Sequence, residues 1–316
     1  LGLRKQLTRA KILECATSLS VQDNDNSAQE KRLCLLEYLD TRSRELFSVP
    51  KRTFLSSLNF QKADASDSTT DVIKKFTEDL ASIPWVPVMT ESPAEHLPWR
   101  TGGVGKLETR LASEVRPPKD MWLCSYSLGI LRGNVQSKYF QNFFGWNKAI
   151  HPRVVAMQLL VLGQSYKPDE KINRELSMQV PKLYKSLSVS FSEEPKSVEQ
   201  VKQILMGAKW VWCGDSFVSH EDVAFITPVN AKPYLYQIPS DMDIAFGSLF
   251  KTLGVREKFS YADFANTLQR MYEKHKNTPL EKADVDTAVA LAQELSNTPL
   301  EAANCEVFAP NEHCVL

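Results

Sequence analysis

AKWVWCGDSFVSHEDVAFI, residues 208–226, decides the fold class of this chain. Trp210, Val211, Trp212, Phe217, Val218, Val223, Phe225 and Ile226 are aromatic or β-branched, the side chains that fit the pleated surface of a strand. Gly214-Asp215 stands between two of these runs and reads as a turn. His220-Glu221-Asp222 follows Ser219 as a second tight turn, or as the first turn of a short helix. Trp210 and Trp212 are two residues apart, so in a strand they share a face. Such a pair could be a stacking platform for bases or sugars. Acids are interleaved with the basic residues throughout, however, and two neighbouring apolar aromatics read better as core filling.

On either side of this stretch the pattern is helical. Downstream, helices are expected over about 241–253, ended by Gly254, and over 261–275, opened by Ser260-x-x-Asp263. A third is expected from Thr278, with Pro279 at its first position and Glu281 closing a capping box. NTPLEKAD (277–284) recurs as NTPLEAAN (297–304), which reads as one helix-start signal used twice rather than as a solenoid repeat. Upstream, a capping box at Ser197-x-x-Gln200 opens a helix to about Met206. Further helices are expected over 169–190, over Pro152–Ser165 and around Ser137–Phe144, the last ended by Gly145.

Near the N-terminus, Leu7, Ile12, Leu13, Ala16 and Leu19 give helical spacing over 3–19. Leu33, Leu36, Leu39, Leu46 and Phe47 do the same over about 28–47. LNFQKADASDSTT (58–70) reads as an exposed loop whose Ser, Thr and Asp residues can cap a helix at about 71–82. IPWVPVMTESPAEHLPWRTGG (83–103) is too rich in Pro and Gly for a regular helix. Trp85, Val86 and Val88 suggest a short strand there, at an edge because of the nearby prolines. These readings give an α+β chain, predominantly helical, with small mixed or antiparallel sheets around 84–90 and 208–238 and about ten helices. The charged, Pro-containing SFSEEPKS suggests a division near residue 190. Residues 1–190 would then be a helical subdomain with a short Trp/Pro-rich strand segment, and 191–316 an α+β subdomain.

Composition narrows the function. The 316 residues hold 38 Lys and Arg against 38 Asp and Glu, without the basic excess of a general nucleic-acid binder. Apolar residues at 43% and charged residues at 24% are those of a globular chain. No apolar run approaches the ~20 residues of a bilayer span. The N-terminus lacks Met and is too polar for a signal peptide, as expected of a segment from a longer chain. The six cysteines, at 15, 34, 124, 213, 305 and 314, form no CxxC pair. They read as reduced core residues in a reducing compartment.

The motifs that could carry chemistry are few. Gly102-Gly103-Val104-Gly105-Lys106 approaches a phosphate-binding loop, but Arg100 stands where that loop needs Gly, and Leu107 where it needs a metal-binding hydroxyl. A surface loop is the simpler reading. His96, His151, His220, His275 and His313 stand at no known ligand spacing, and no GxSxG elbow is present. No catalytic, metal-binding or cofactor-binding residue is therefore expected. The helix over 261–275 carries Phe264, Leu268, Met271 and Tyr272, and could either dock on another module or cover this one.

Several segments occur together and in order: LGLRKQLTRAKILECA, IPWVPVMTESP with LPWRTGG, FFGWNKAIHPRVVAMQLLVL, AKWVWCGDSFVSHEDVAF, KPYLYQIPSDM and LFKTLGVREKFSYADFANTLQRMYE. The series resembles the repeated region of the sacsin family over nearly the whole chain. Its motif residues are Trp85, Pro87, Trp99, Gly145, Trp146, Trp210, Trp212, Gly214, Asp215, Phe217, Gly254 and Arg256, all expected to be structural. In that family an Hsp90-like ATPase module is followed by a long accessory region. The Asn-bearing helix, the DxGxG strand end and the Gly-rich lid of such an ATPase are absent from this sequence, so the resemblance implies the accessory part. It implies a chaperone-related, non-catalytic scaffold that handles clients in the cytoplasm. Its partners would be neighbouring modules of the same chain, Hsp70 and Hsp90 systems and client proteins, with no nucleic acid or membrane. The alternatives are a self-association module and an enzyme with a nucleotide site at GGVGK.

Overall fold

The computed structural model describes residues 7–22, 26–47, 65–94, 96–99, 109–276 and 278–297. The chain divides into two compact units, Leu1–Leu162 and Gly163–Leu316. GGVGK, the second NTPL copy and the cysteines at 305 and 314 lie outside the described residues.

The first unit opens with α1 (Arg9–Val21), α2 (Asn26–Thr41), α3 (Ser43–Phe47) and α4 (Ala65–Ser82). Thr8 caps α1 by accepting from the Lys11 amide, 3.3 Å away. The other end of α1 is capped from α2. There the fully buried Arg32 guanidinium donates to the carbonyls of Leu19 at 2.6 Å and Gln22 at 3.1 Å. The single helix expected over 28–47 is in fact two, broken at Arg42. The break lets α3 turn its Phe47 into an aromatic cluster with Phe76, Phe140 and Phe143. Helix α4 begins six residues earlier than its Ser- and Thr-rich sequence suggested.

After α4 come β1 (Val86–Pro87), β2 (Thr109–Arg110), β3 (Val115–Arg116), α5 (Met121–Cys124), β4 (Gly129–Ile130), α6 (Lys138–Phe143) and α7 (Pro152–Ser165). Strand β1 pairs antiparallel with β2, and β3 pairs parallel with β4. The last three strands are too short to leave an alternating pattern in the sequence. Gly129 is required where it is, because a Cβ there would lie 2.9 Å from the Val88 side chain. Ser137 caps α6, whose start is also held by Asp40, accepting from the amides of Gln136 at 2.9 Å and Ser137 at 2.8 Å. The core of this unit gathers Ile12, Leu36, Leu39, Leu80, Trp85, Phe140 and Trp146.

The second unit holds α8 (Glu170–Glu193), α9 (Ser197–Leu205), β5 (Lys209–Trp212), β6 (Phe217–Ser219), β7 (Val223–Ile226), β8 (Tyr236–Gln237), α10 (Ser240–Thr252), β9 (Arg256–Lys258), α11 (Tyr261–Lys274) and α12 (Lys282–Ser296). Strands β5 and β6 form an antiparallel hairpin. The order β8-β7-β9 is a parallel sheet, so the α10 connection crosses over β7. Residue 190 lies inside α8, which packs on α10. The SFSEEPKS segment therefore joins two helices within one unit.

The Ser260–Asp263 capping box forms as its sequence predicts, with both reciprocal bonds present. Two other expected boxes do not. The Ser197 hydroxyl donates back to the Glu194 carbonyl at 2.7 Å, leaving Lys196 as an uncapped start of α9. Helix α12 begins at Lys282 rather than Thr278, because the Thr278 amide turns back to the His275 carbonyl at 2.9 Å. A smaller core under α11 and α12 joins Phe259, Phe264, Met271 and Leu291. Among the described residues no helix is long and apolar enough to cross a membrane. The architecture is α+β and predominantly helical, with small sheets that are each either antiparallel or parallel.

Candidate functional site

The hairpin of β5 and β6 concentrates the motif residues of the second unit. Trp210 and Trp212 are both fully buried, as core filling requires. A bulge between Lys209 and Val211 shifts the register of β5. The Tyr184 hydroxyl of α8 fits that irregularity. It donates to the Trp210 carbonyl at 2.8 Å and accepts from the Trp212 amide at 2.9 Å. The rings of Trp210, Phe246 and Phe250 surround the Tyr184 ring, and burial raises its hydroxyl, which stays protonated. The Trp212 indole donates to the Ser177 hydroxyl at 3.3 Å and packs on Phe217.

The turn of the hairpin is polar. Gly214 takes φ +92°, a conformation that side chains resist, and lets the Cys213 amide reach the Ser216 carbonyl at 2.9 Å. Asp215 is exposed and meets Lys232 at 3.1 Å, and it accepts from the Ser216 hydroxyl at 2.9 Å. Partial burial pushes its carboxyl up, but the bonds from Ser216 and Lys232 and the lysine's charge prevail and hold it below the usual value. The Lys232 ammonium also lies over the Tyr236 ring. The Tyr166 hydroxyl lies 2.6 Å from both the Asp215 carbonyl and the Asn173 side-chain oxygen. Beside the turn, burial pushes the Cys213 thiol up to about 12, so it is not a thiolate nucleophile at neutral pH.

Gly254 and Arg256 lie further along. Gly254 ends α10 at φ +93°. Arg256 of β9 pairs with Asp263, the acidic member of the α11 capping box. Burial opposes ionisation of Asp263, but hydrogen bonds from Arg256 and Ser260 outweigh it and lower its carboxyl. At the foot of α12, the nearly buried Asp284 accepts from the Tyr234 hydroxyl at 3.0 Å and lies 3.1 Å from His275 Nε2. Lys274 donates to the same tyrosine at 3.2 Å. This cluster ties α12 to α11 and to the turn before β8.

The first unit holds the other motif residues. Trp85 is fully buried and its indole donates to the Leu80 carbonyl at 3.2 Å. Pro87 stands in β1 opposite Thr109. Trp146 donates to the Ala112 carbonyl at 2.8 Å, and Gly145 before it takes φ +69°. The buried Arg116 guanidinium clasps this turn, donating to the carbonyls of Gly145 at 2.7 Å and Lys148 at 2.5 Å. Trp99 is half-buried and lines a cavity of about 20 Å³ with Val88, Met89, Arg110, Ser125 and Ile130. That is room for about one water molecule. Among the described residues no group of His, Cys, Asp or Glu side chains converges as a metal site.

Of the motif residues, Trp85 and Trp146 in the first unit and Trp210, Trp212 and Phe217 in the second are buried, whereas Trp99 is half-buried and Asp215, Gly254 and Arg256 stand apart from them. The sequence reading missed Tyr184, Arg116 and Lys232, whose partners lie 26, 29 and 17 residues away. The only signal for Tyr184 is its place on the apolar face of α8. The class defined by these features is a predominantly helical α+β chain with Trp85, Trp146, Trp210 and Trp212 buried in its cores.

Among curated proteins the chain is similar to human Sacsin, at 25% identity over 205 residues. The match covers 62% of this chain and 4% of Sacsin, so the chain corresponds to a small part of that protein's length. No protein-family profile matches, and no solved structure matches.

Proposed function

We propose that this chain is a non-catalytic scaffold and client-handling segment of a sacsin-like protein, working beside an Hsp90-like ATPase module in cytoplasmic protein quality control. The similarity to Sacsin over 62% of the chain carries this reading. It is supported by the employment of the tryptophans in packing and main-chain hydrogen bonds, which suits a rigid surface that other proteins meet. Hsp70 and Hsp90 systems and partly unfolded clients are the partners this reading names, together with neighbouring modules of the same giant chain.

The test combines two measurements on the 316-residue chain. Calorimetry with ATP and magnesium should give no binding heat, and the chain should suppress light scattering by heat-unfolded citrate synthase. Micromolar nucleotide affinity, with a melting shift abolished by Lys106→Ala, would replace the proposal with a nucleotide site at GGVGK. Unchanged citrate synthase aggregation would remove the client-handling part.

A further inference from the structure

Helix α8 turns two different faces to its surroundings. Ile172, Leu176, Val180, Leu183 and Leu187 are buried. The opposite face carries Lys171, Arg174, Met178, Lys182, Lys185 and Val189, all exposed. At 100° per residue these six fall within an arc of about 80° and run for about 27 Å along the axis. Met178 is 59% and Val189 46% exposed, so both are open to a partner. Among the described residues Lys171, Lys182 and Lys185 have no carboxylate within ion-pair distance, and Arg174 meets only Glu170, at 3.6 Å.

Asp169 and Glu170 offset the cations at the helix start, but part of the arrangement works against the helix. Lys171 and Arg174 sit in the N-terminal turns, where the macrodipole favours acids. Lys171 with Arg174, and Lys182 with Lys185, are like charges three residues apart, which repel. The surrounding sequence makes the stripe more distinct, because the second unit holds 16 Lys and Arg against 21 Asp and Glu. A four-cation line on an otherwise acidic unit, three of its members without an ion-pair partner among the described residues, points to a partner that supplies the missing charge.

We propose that this face of α8 docks an acidic polypeptide segment carrying apolar side chains. Charge complementarity selects acids for the four cations, and Met178 and Val189 supply apolar contacts three helical turns apart. A membrane surface fits less well, since the broad apolar face of α8 is already buried in protein and two exposed side chains give little to insert. Nucleic acid fits less well too, since the stripe holds no aromatic side chain on which bases could stack. The proposal rests on α8 alone and does not require the sacsin-like reading.

The experiment uses the full chain and fluorescence anisotropy. The probe is a labelled glutamate-rich peptide carrying two leucines at the spacing of Met178 and Val189. A second peptide has serines for the leucines, and a third has lysines for the glutamates. The first peptide should bind, more weakly as salt rises, and the lysine peptide should not. Lys182→Glu with Lys185→Glu should weaken binding roughly tenfold or more. Met178→Ser with Val189→Ser should lower affinity for the leucine peptide to that for the serine peptide. These side chains are exposed, so circular dichroism and melting curves should stay unchanged. Equal binding by the charge-reversed chain, or no binding at low salt, would overturn the proposal. So would tighter binding of phosphatidylserine vesicles or single-stranded DNA that the same reversal abolishes.

Discussion

Tyr184 holds Trp210 by its main chain rather than by its ring alone. The phenol hydroxyl donates to the Trp210 carbonyl at 2.8 Å and, from the same oxygen, accepts the Trp212 amide at 2.9 Å. One side chain thus satisfies two main-chain groups of β5 in a site closed to water. Tyr184→Phe keeps the ring contacts with Phe246 and Phe250 and removes only the oxygen. It should destabilise the second unit by roughly 2–4 kcal/mol, the cost of a buried donor and a buried acceptor left unpaired. Urea unfolding followed by tryptophan fluorescence measures this, and a loss under about 0.5 kcal/mol would show that these two main-chain groups find other partners.

Gly163, in the last turn of α7 and the first residue of the second unit, is the second constraint on the same strand. A Cβ at that position would lie 1.7 Å from the Lys209 carbonyl oxygen, a main-chain atom that cannot rotate away. Gly163→Ala is therefore expected to cost on the order of 3 kcal/mol, although alanine is the better helix former. An alanine variant that melts at or above the wild-type temperature would contradict this close approach.

How far the sequence reached depends on the range of the interaction. The capping box at Ser260, the helix around Ser137–Phe144 and the ends of α7 were legible because each depends on residues within a few positions of one another. The strand character of 209–226 was legible from its aromatic and β-branched runs. Ser197 shows the limit: its sequence matches a capping box, yet its hydroxyl is taken by the nearby Glu194 carbonyl. Thr278 fails similarly, because its amide turns back to His275 while Asp284 is engaged by Tyr234, 50 residues away. Strands β2 to β4 have two residues each, too few for a period, and exist through pairing with distant segments. In the candidate site the buried tryptophans were readable as core. The polar atoms that fix their main chain, Tyr184 and Arg116, were not, because nothing local distinguishes them from other helix or strand residues.

Gln29 offers a gain rather than a loss. Its side chain is 1% exposed on α2, and neither its oxygen nor its nitrogen has a hydrogen-bond partner among the described residues. Replacing an unpaired buried amide with an apolar side chain of similar size removes its desolvation cost. Gln29→Leu should raise stability by about 1–2 kcal/mol, read as a higher melting temperature. A lower melting temperature would mean that the amide has a partner worth more than the leucine.

Asp263 links the fold to pH. It accepts the Ser260 amide at 2.8 Å and pairs with Arg256, and its carboxyl is held below the ordinary value. As pH falls, the unfolded chain, with a value near 3.9, takes up its proton first. The stabilisation is therefore complete above about pH 5 and is lost as pH falls through the lower, folded-state value. Asp263→Asn should cost about 1 kcal/mol at pH 7, through the weakened capping box and the lost ion pair. The gap between variant and wild type should narrow steadily below about pH 4. Melting curves of both proteins from pH 7 to pH 3 measure that gap. If it stayed constant across the range, the contribution of Asp263 would come from its shape and hydrogen bonding, and its charge would contribute nothing.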